Sequence, residues 1–319
     1  MTGVQPVAAE RAPSGSTNEP DARQLGTFID PAELMAMLAE QEALPDLDRR
    51  VVLIDARDEE AYLAGHLPGA IQLGPTRWRT PSAKPGDGRM SQYVFRKPDT
   101  TPDVAHYERM LGEAGVERDD VVVVYGNHAG KKDGTVPVML LDWLGHERVL
   151  FLDGIGVDRW RSAGGVLSTE PTRLPATTYR AEPRDGFVWN EPRVRAHLND
   201  PGVVMYDTRS LAEWTGQALR KNARGGHLPG AVHIDYADML TEDELVRDVD
   251  DLRAMLDAQG ITPDKQIVLY CQTATRVSLP YLIMRDLGYP HVSIYDASWF
   301  EWGNQQDTPI ECDGEITPG

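Results

Sequence analysis

Cysteine is nearly missing from this 319-residue chain, which has only Cys271 and Cys312. Two thiols exclude a disulfide framework and a four-thiolate metal site, and they fit a reducing cytoplasm. No stretch approaches the ~18 consecutive apolar residues of a membrane helix. The first residues, Met1 to Ala22, have no apolar core behind a basic patch and do not read as a secretory signal. Basic side chains are in deficit too: 32 Lys and Arg against 50 Asp and Glu leave a formal charge of −18. A field of that sign repels phosphate backbones and anionic lipid, so neither nucleic acid nor membrane is expected as a partner.

What is present has an ordinary globular balance, 41% hydrophobic and 26% charged. At roughly 150 residues per domain, the length suggests two domains. Residues 1–24 are rich in Pro, Ala, Ser and Gly without an apolar period, and read as a disordered tail. Asp30-Pro31 then sets an N-cap and an N1 proline ahead of the helically spaced Leu34, Met35 and Leu38. Val51–Asp55 is a short continuous apolar run, the mark of a strand buried on both faces. Helix and strand signals alternate from there on, predicting α/β layers around a mostly parallel sheet.

The chain also repeats itself. Val51-Val52-Leu53-Ile54-Asp55-Ala56-Arg57, followed by Gly65-His66-Leu67-Pro68-Gly69-Ala70, returns as Val203-Val204-Met205-Tyr206-Asp207-Thr208-Arg209, followed by Gly226-His227-Leu228-Pro229-Gly230-Ala231. The second copy is longer between the two motifs, around Gly216 to Arg224. Val121–Tyr125 pairs in the same way with Gln266–Tyr270, and Asp153 with Asp296. The period is far above a solenoid unit, so a whole domain is duplicated: residues 25–165, then a Thr-, Pro- and Arg-rich linker over 166–187, then 188–319. Residues 74–100, carrying Arg77, Arg79, Lys84, Arg89, Arg96 and Lys97, form a long basic loop that reads as a solvated excursion.

Cys271 follows the apolar strand Gln266–Tyr270 and precedes a helix running to about Leu287. The carboxyl end of a parallel strand entering a helix is where α/β folds bind ligands. Free N–H groups of the loop and first turn favour an anion there, and a thiolate is one. Arg276, at the other end of the loop, adds a cation within reach of both the sulfur and a bound anion. Asp55/Arg57 and Asp207/Arg209 recur in both copies, with or without the cysteine, which points to structural ion pairs. His66 and His227 sit in the repeated turn and read as turn-fixing hydrogen-bonders. Neither has a metal-ligand partner at helical spacing, so no metal is implied.

The Asp-x-Arg strand end, the Gly-His-x-Pro-Gly-Ala turn, the Cys271 loop and the segment Tyr295-Asp296-Ala297-Ser298-Trp299-Phe300-Glu301-Trp302-Gly303 together resemble the tandem-domain rhodanese family, and within it the actinobacterial-type thiosulfate sulfurtransferases. The resemblance covers about residues 25–316. It implies two rhodanese-like α/β domains, each a mostly parallel sheet flanked by helices. The first copy has Gly126-Asn127-His128-Ala129-Gly130-Lys131-Lys132 where the second has Cys271 onward, so 25–165 should be catalytically silent and 188–319 active. The implied activity moves a sulfane sulfur from thiosulfate to cyanide or a thiol through a Cys271 persulfide, by nucleophilic catalysis. Gln272, Thr273, Ala274, Thr275 and Arg276 would surround the sulfur, and Arg224 in the second copy's insert would reach the substrate. No metal or organic cofactor is called for. The partners are a small anionic sulfur donor and a thiol or cyanide acceptor, with a protein sulfur acceptor as a further one.

Two departures from the family pattern bear on specificity. Ala274 stands where single-domain relatives carry Gly, and a left-handed conformation there would cost an alanine ~1–2 kcal/mol. Glu213 stands where mercaptopyruvate sulfurtransferases carry a carboxylate-binding Arg, which favours thiosulfate; 3-mercaptopyruvate transfer and a non-turnover persulfide carrier or regulatory partner are the alternatives. Cys271 to Arg276 spans six residues, one fewer than the Cys-x5-Arg phosphatase loop, and a smaller cradle suits a sulfur better than a phosphate. Trp299 fits a pocket wall or a core position equally well, and Cys312, among carboxylates near the end of the chain, reads as a bystander.

Overall fold

Each copy of the repeat builds a five-stranded parallel sheet. The computed structural model describes residues 25–44, 49–83, 90–93, 103–127, 134–220, 222–312 and 314–317. The tail expected over 1–24 lies outside them, as do Lys84, Arg89, Arg96 and Lys97 of the basic loop and residues 128–133 of the first copy's loop. The first half runs β1 (Phe28–Ile29), α1 (Pro31–Ala43), β2 (Val51–Asp55), α2 (Glu59–Ala64), β3 (Ile71–Gln72), an antiparallel ribbon of β4 (Thr80–Ala83) and β5 (Met90–Tyr93), α3 (Val104–Glu113), β6 (Val121–Tyr125), α4 (Thr135–Trp143), β7 (Arg148–Leu152) and α5 (Gly156–Ser162). The second half runs β8 (Val188–Trp189), α6 (Glu191–Ala196), β9 (Val203–Asp207), α7 (Leu211–Trp214), β10 (Val232–His233), a 3-10 turn at Tyr236–Met239, α8 (Val249–Ala258), β11 (Gln266–Tyr270), α9 (Ser278–Asp286), β12 (Val292–Tyr295), α10 (Ser298–Trp302) and a hairpin of β13 (Ile310–Cys312) and β14 (Glu315–Thr317).

The sheet orders, β1-β7-β6-β2-β3 and β10-β9-β11-β12-β8, are one topology read from opposite edges. The expected fold class is the observed one. Central strands β6 and β11 are apolar without alternation because helices cover both faces of each sheet. Helix α1 starts where its sequence signals place it, with the Asp30 carboxylate accepting the Glu33 N–H and the Glu33 carboxylate accepting the Asp30 N–H.

The repeated motifs form a repeated brace. Arg57 Nε donates to Asp55 at 2.9 Å and its Nη2 donates to Gly65 O at 2.8 Å. Arg209 does the same to Asp207 at 2.9 Å and to Gly226 O at 2.7 Å. The Leu67 and Leu228 N–H groups donate to the Tyr125 and Tyr270 hydroxyls, each at 3.1 Å. His66 stacks on Tyr62 and bonds the Tyr62 carbonyl; His227 stacks on Trp214 and bonds the Trp214 carbonyl. The chain then returns to pair with each turn, Ser168 with His66 and Glu311 with His227. Cys312 is thus part of an ordered strand, its thiol donating to Thr215 O at 3.3 Å.

The two halves share one apolar core. Helix α4 buries eight of its nine residues and α9 buries seven of its nine, and the pair pack on each other between the sheets. Their N-terminal ends meet through a Thr135 Oγ1 to Ser278 Oγ hydrogen bond of 2.8 Å. Around this core Asp286 accepts both Thr27 N and Thr27 Oγ1 at 2.7 Å, and Asp142 pairs with Arg285 at 2.9 Å and with Arg184 and Tyr281. The segment between the halves is tied to the first one: Thr177, Glu182 and Arg184 N–H groups donate to the carbonyls of Gly112, Leu144 and Trp143, and Tyr179 is buried against His146.

Because Arg57 and Asp55 are both buried, Asp55→Ala leaves a guanidinium without its counter-charge. Loss of about 3–5 kcal/mol of stability in urea denaturation is the expected result. A loss under about 1 kcal/mol would show that the brace is dispensable.

Candidate active site

Cys271 directly follows β11, in the apolar core shared by the two halves, and is 1% exposed. The register places Tyr270 beside Asp207, so the loop leaves the sheet directly over the Asp207–Arg209 brace. From behind, the loop is fastened by the start of α10. Ser298, with φ of +53°, turns its hydroxyl so that Oγ accepts the Cys271 and Ala274 N–H groups, both at 3.2 Å, and donates to Tyr295 O at 2.7 Å. The Trp299 and Phe300 N–H groups donate to Cys271 O and Gln272 O at 2.9 and 3.0 Å. One hydroxyl and two backbone bonds therefore set the curvature of the loop. Ala274 is fully buried with φ of +50°, the left-handed conformation anticipated for a glycine there.

Arg276 closes the loop, and its fork is occupied: Nη1 and Nη2 donate to the two Glu213 oxygens at 2.6 and 2.9 Å. Glu213, buried in α7, also accepts Ser210 Oγ at 2.9 Å. Burial alone would raise the Glu213 pKa, but the Arg276 hydrogen bond and charge outweigh it and hold the carboxyl down to about 2. Burial likewise works against the Arg276 charge, while the Glu213 hydrogen bond and the charges of Cys271 and Glu213 raise its pKa above the ordinary value. Arg276 is thus electrostatically coupled to Cys271 but is not a vacant fork.

The remaining predicted site residues separate. Thr273 and Thr275 lie in the loop, with Thr275 Oγ1 donating to Thr273 O at 3.4 Å. Gln272 turns to the insert, where its amide and that of Asn222 exchange hydrogen bonds of 2.9 and 3.0 Å. Arg224 does not join the loop. Its guanidinium caps the end of α10, donating to Thr308 O at 2.9 Å, to Trp302 O at 3.2 Å, and to Gln305 O and Thr308 Oγ1. Carbonyls at a helix C-terminus need such donors, and this role takes Arg224 away from the substrate position expected for it. Trp299 proves to be a core residue, buried with the Arg209 guanidinium 4.5 Å from its ring centre.

One residue of this site was not singled out from the sequence. Arg79, in the basic loop of the first half, is 5% exposed and donates from Nη2 to Thr273 O at 3.2 Å. Burial lowers its pKa, and the charges of Cys271 and Asp296 oppose that. Its neighbour Trp78 is fully buried and donates from the indole to Leu73 O at 2.7 Å. The described start of the loop is therefore packed rather than solvated. The one available signal was a tryptophan between two arginines, which argues for an anchored segment.

Residues 30–163 and 191–305 each match the rhodanese-like domain family. A thiosulfate sulfurtransferase of Azotobacter vinelandii is 33% identical, covering 91% of this chain and 99% of that protein. A thiosulfate sulfurtransferase of Pseudomonas aeruginosa is 30% identical over 90% of this chain and 97% of its own, and a sulfur carrier protein of Thermus thermophilus is 30% identical over 85% and 93%. Among solved structures, an anaerobic ergothioneine biosynthesis enzyme from Chlorobium limicola superposes with a TM-score of 0.73 at 23% identity, covering 91% of this chain and 71% of that one, a likeness of fold.

Two outcomes test the geometry. Glu213, with its pKa depressed when folded, stabilises fully above the unfolded value of about 4.5 and loses that contribution as pH falls toward 2. The stability gap between the native protein and Glu213→Gln should therefore be about 2 kcal/mol narrower at pH 3 than at pH 6 in urea titrations; a constant gap contradicts the pairing. Ala274→Gly should stabilise by on the order of 1 kcal/mol, the left-handed strain relieved less the methyl burial lost. A lowered melting temperature would show that the alanine is not strained.

Proposed function

The chain belongs to the tandem-domain rhodanese family and is a sulfurtransferase, and on that premise we propose that it moves the outer sulfur of thiosulfate to cyanide or to a thiol through a persulfide on Cys271, in a reducing cytoplasm. The observation that carries this reading is the fastened six-residue loop with one buried thiol at its base and a cation at its end. In the first step the Cys271 thiolate attacks the outer sulfur of thiosulfate. A new S–S bond forms, the old one breaks, and sulfite leaves with the bonding pair. In the second step the acceptor attacks the terminal sulfur of the persulfide and the Cys271 thiolate departs, so the enzyme is regenerated and no external oxidant or reductant is needed.

Several features support each step. The positive charge of Arg276, which interacts with Cys271, favours an anionic sulfur. Burial of the thiol excludes water, which strengthens these interactions. The tight loop suits a single sulfur better than a tetrahedral phosphate. Glu213, paired with Arg276, puts a carboxylate where a 3-mercaptopyruvate carboxylate would need a cation, and this favours thiosulfate as donor. The first half has no cysteine and serves as a silent partner in the covalent chemistry.

Cys271→Ser should abolish thiocyanate formation and the +32 Da adduct, the mass of one sulfur, seen on the intact protein after thiosulfate treatment. Cys312→Ser should leave both nearly intact. Activity retained without Cys271 would sink the assignment, and a single stoichiometric transfer without steady-state turnover would favour the carrier reading.

A further inference from the structure

On the reading of Cys271 as the persulfide site, we infer that Asn222, buried in the insert that lengthens only the cysteine half, is a positioning residue for the Cys271–Arg276 loop. It acts through Gln272, which serves the loop and not the sulfur donor.

The Asn222 side chain is 7% exposed and its hydrogen-bonding capacity is fully used. A carboxamide offers two N–H donors and two lone pairs. Nδ2 donates to Leu219 O at 2.7 Å and to Gln272 Oε1 at 3.0 Å, while Oδ1 accepts Gln272 Nε2 at 2.9 Å and Asn304 Nδ2 at 3.1 Å. Asn222 and Gln272 thus form a reciprocal amide pair. An apolar side chain of similar size at 222 leaves these partners unpaired, which is the costly case for buried polar groups.

The pair belongs to a closed circuit. Asn304 Nδ2 also donates to Phe300 O at 2.7 Å, and the Phe300 N–H donates to Gln272 O at 3.0 Å. Gln272 is therefore held at its carbonyl and at its side-chain amide, and both holds lead back to Asn304. The Ser298 hydroxyl grips the Cys271 and Ala274 N–H groups on either side of this point. The residue next to the thiol is fixed from two directions.

The two halves differ in how they reach this region. Arg57 and the Gly65 carbonyl it bonds are 8 residues apart, whereas Arg209 and the Gly226 carbonyl are 17 apart. The brace forms with the short connection, so it does not require the extra length. The end of the insert instead lies along α10. The Ala223 N–H donates to Asn304 Oδ1 at 2.9 Å, the Arg224 N–H to Gly303 O at 3.1 Å, and the Trp299 indole to Arg224 O at 3.2 Å. With the Arg224 guanidinium on the end of the same helix, these bonds set where Asn222 stands. In a two-step transfer the loop must keep one geometry while its sulfur gains and then loses an atom. Fixing it before the donor arrives helps orientation more than affinity.

The test uses the full chain carrying Cys312→Ser, so that thiol modification reports on Cys271, and a double-mutant cycle of Asn222→Leu and Gln272→Met. Each single variant should lower kcat with thiosulfate and cyanide about 10-fold, with the thiosulfate KM within about twofold of the parent value. Because both remove the same pair, the double variant should also lose about 10-fold, where independent sites would lose ~100-fold. Losses that multiply, or an unchanged kcat, overturn the inference. So does a raised KM with kcat kept in Gln272→Met, which would make Gln272 a donor contact. Iodoacetamide alkylation of Cys271 is read in parallel: a released loop opens more often, so each single variant should react several-fold faster and the double variant no faster than either. Unchanged alkylation rates count against the positioning role. If Asn222→Leu fails to fold, Gln272→Met, on the half-buried side of the pair, decides by its kcat and alkylation rate alone. If the parent protein does not turn over thiosulfate, the sulfur-donor reading fails, while the alkylation cycle still decides whether the amide pair holds the loop.

Discussion

Helices α4 and α9 bury nearly every side chain they carry, and neither would do so in a separated domain. Apolar surface of that extent drives the halves together at roughly 25 cal/mol per Å² removed from water. Because α9 begins just after the Cys271–Arg276 loop, that packing also fixes where the loop lies, at the seam. Cys271, Ala274 and Val277 are members of the shared core rather than lining of a surface cleft. The Cys271 sulfur is buried because the two domains are joined where they are.

Much of this was legible from one sequence because the duplication supplied an internal control. Motifs present in both copies, Asp-x-Arg and the Gly-His turn, turned out to be braces, and the feature present in one copy, Cys271, lies at the strand end. Strand and helix types followed from unbroken apolar runs and from capping residues such as Asp30. Less legible was the direction of long side chains. Arg276 was assigned by nearness in sequence to the loop and Arg224 through the family resemblance, yet Arg224 meets carbonyls at and beyond the end of α10 and Arg276 a carboxylate 63 residues earlier in the chain. Arg79 escaped notice because its contact joins residues 194 apart, and no local pattern encodes that.

The charges around the loop divide into two kinds. Arg209–Asp207 and Arg276–Glu213 are buried pairs, each nearly neutral as a unit, and they hold geometry at the cost of desolvating both partners. Arg79 adds positive charge from a different domain. In that arrangement the scaffold's rigidity and the site's polarity are encoded in different halves of the chain. The first half has its brace without a cysteine, since neither Asp55 nor Arg57 depends on one.

The segment joining the halves reads in sequence as a Thr-, Pro- and Arg-rich linker, and its backbone is hydrogen-bonded to α3 and to the end of α4 from Thr177 to Arg184. A slack tether keeps its ends together at an effective concentration set by chain statistics, which falls as the tether lengthens. A pinned one removes that dependence. The second half is held at one address on the first, as a subunit is held in an obligate dimer. Lengthening this segment outside its pinned stretch would then do little, whereas peeling the stretch away would turn one folding unit into two loosely associated ones.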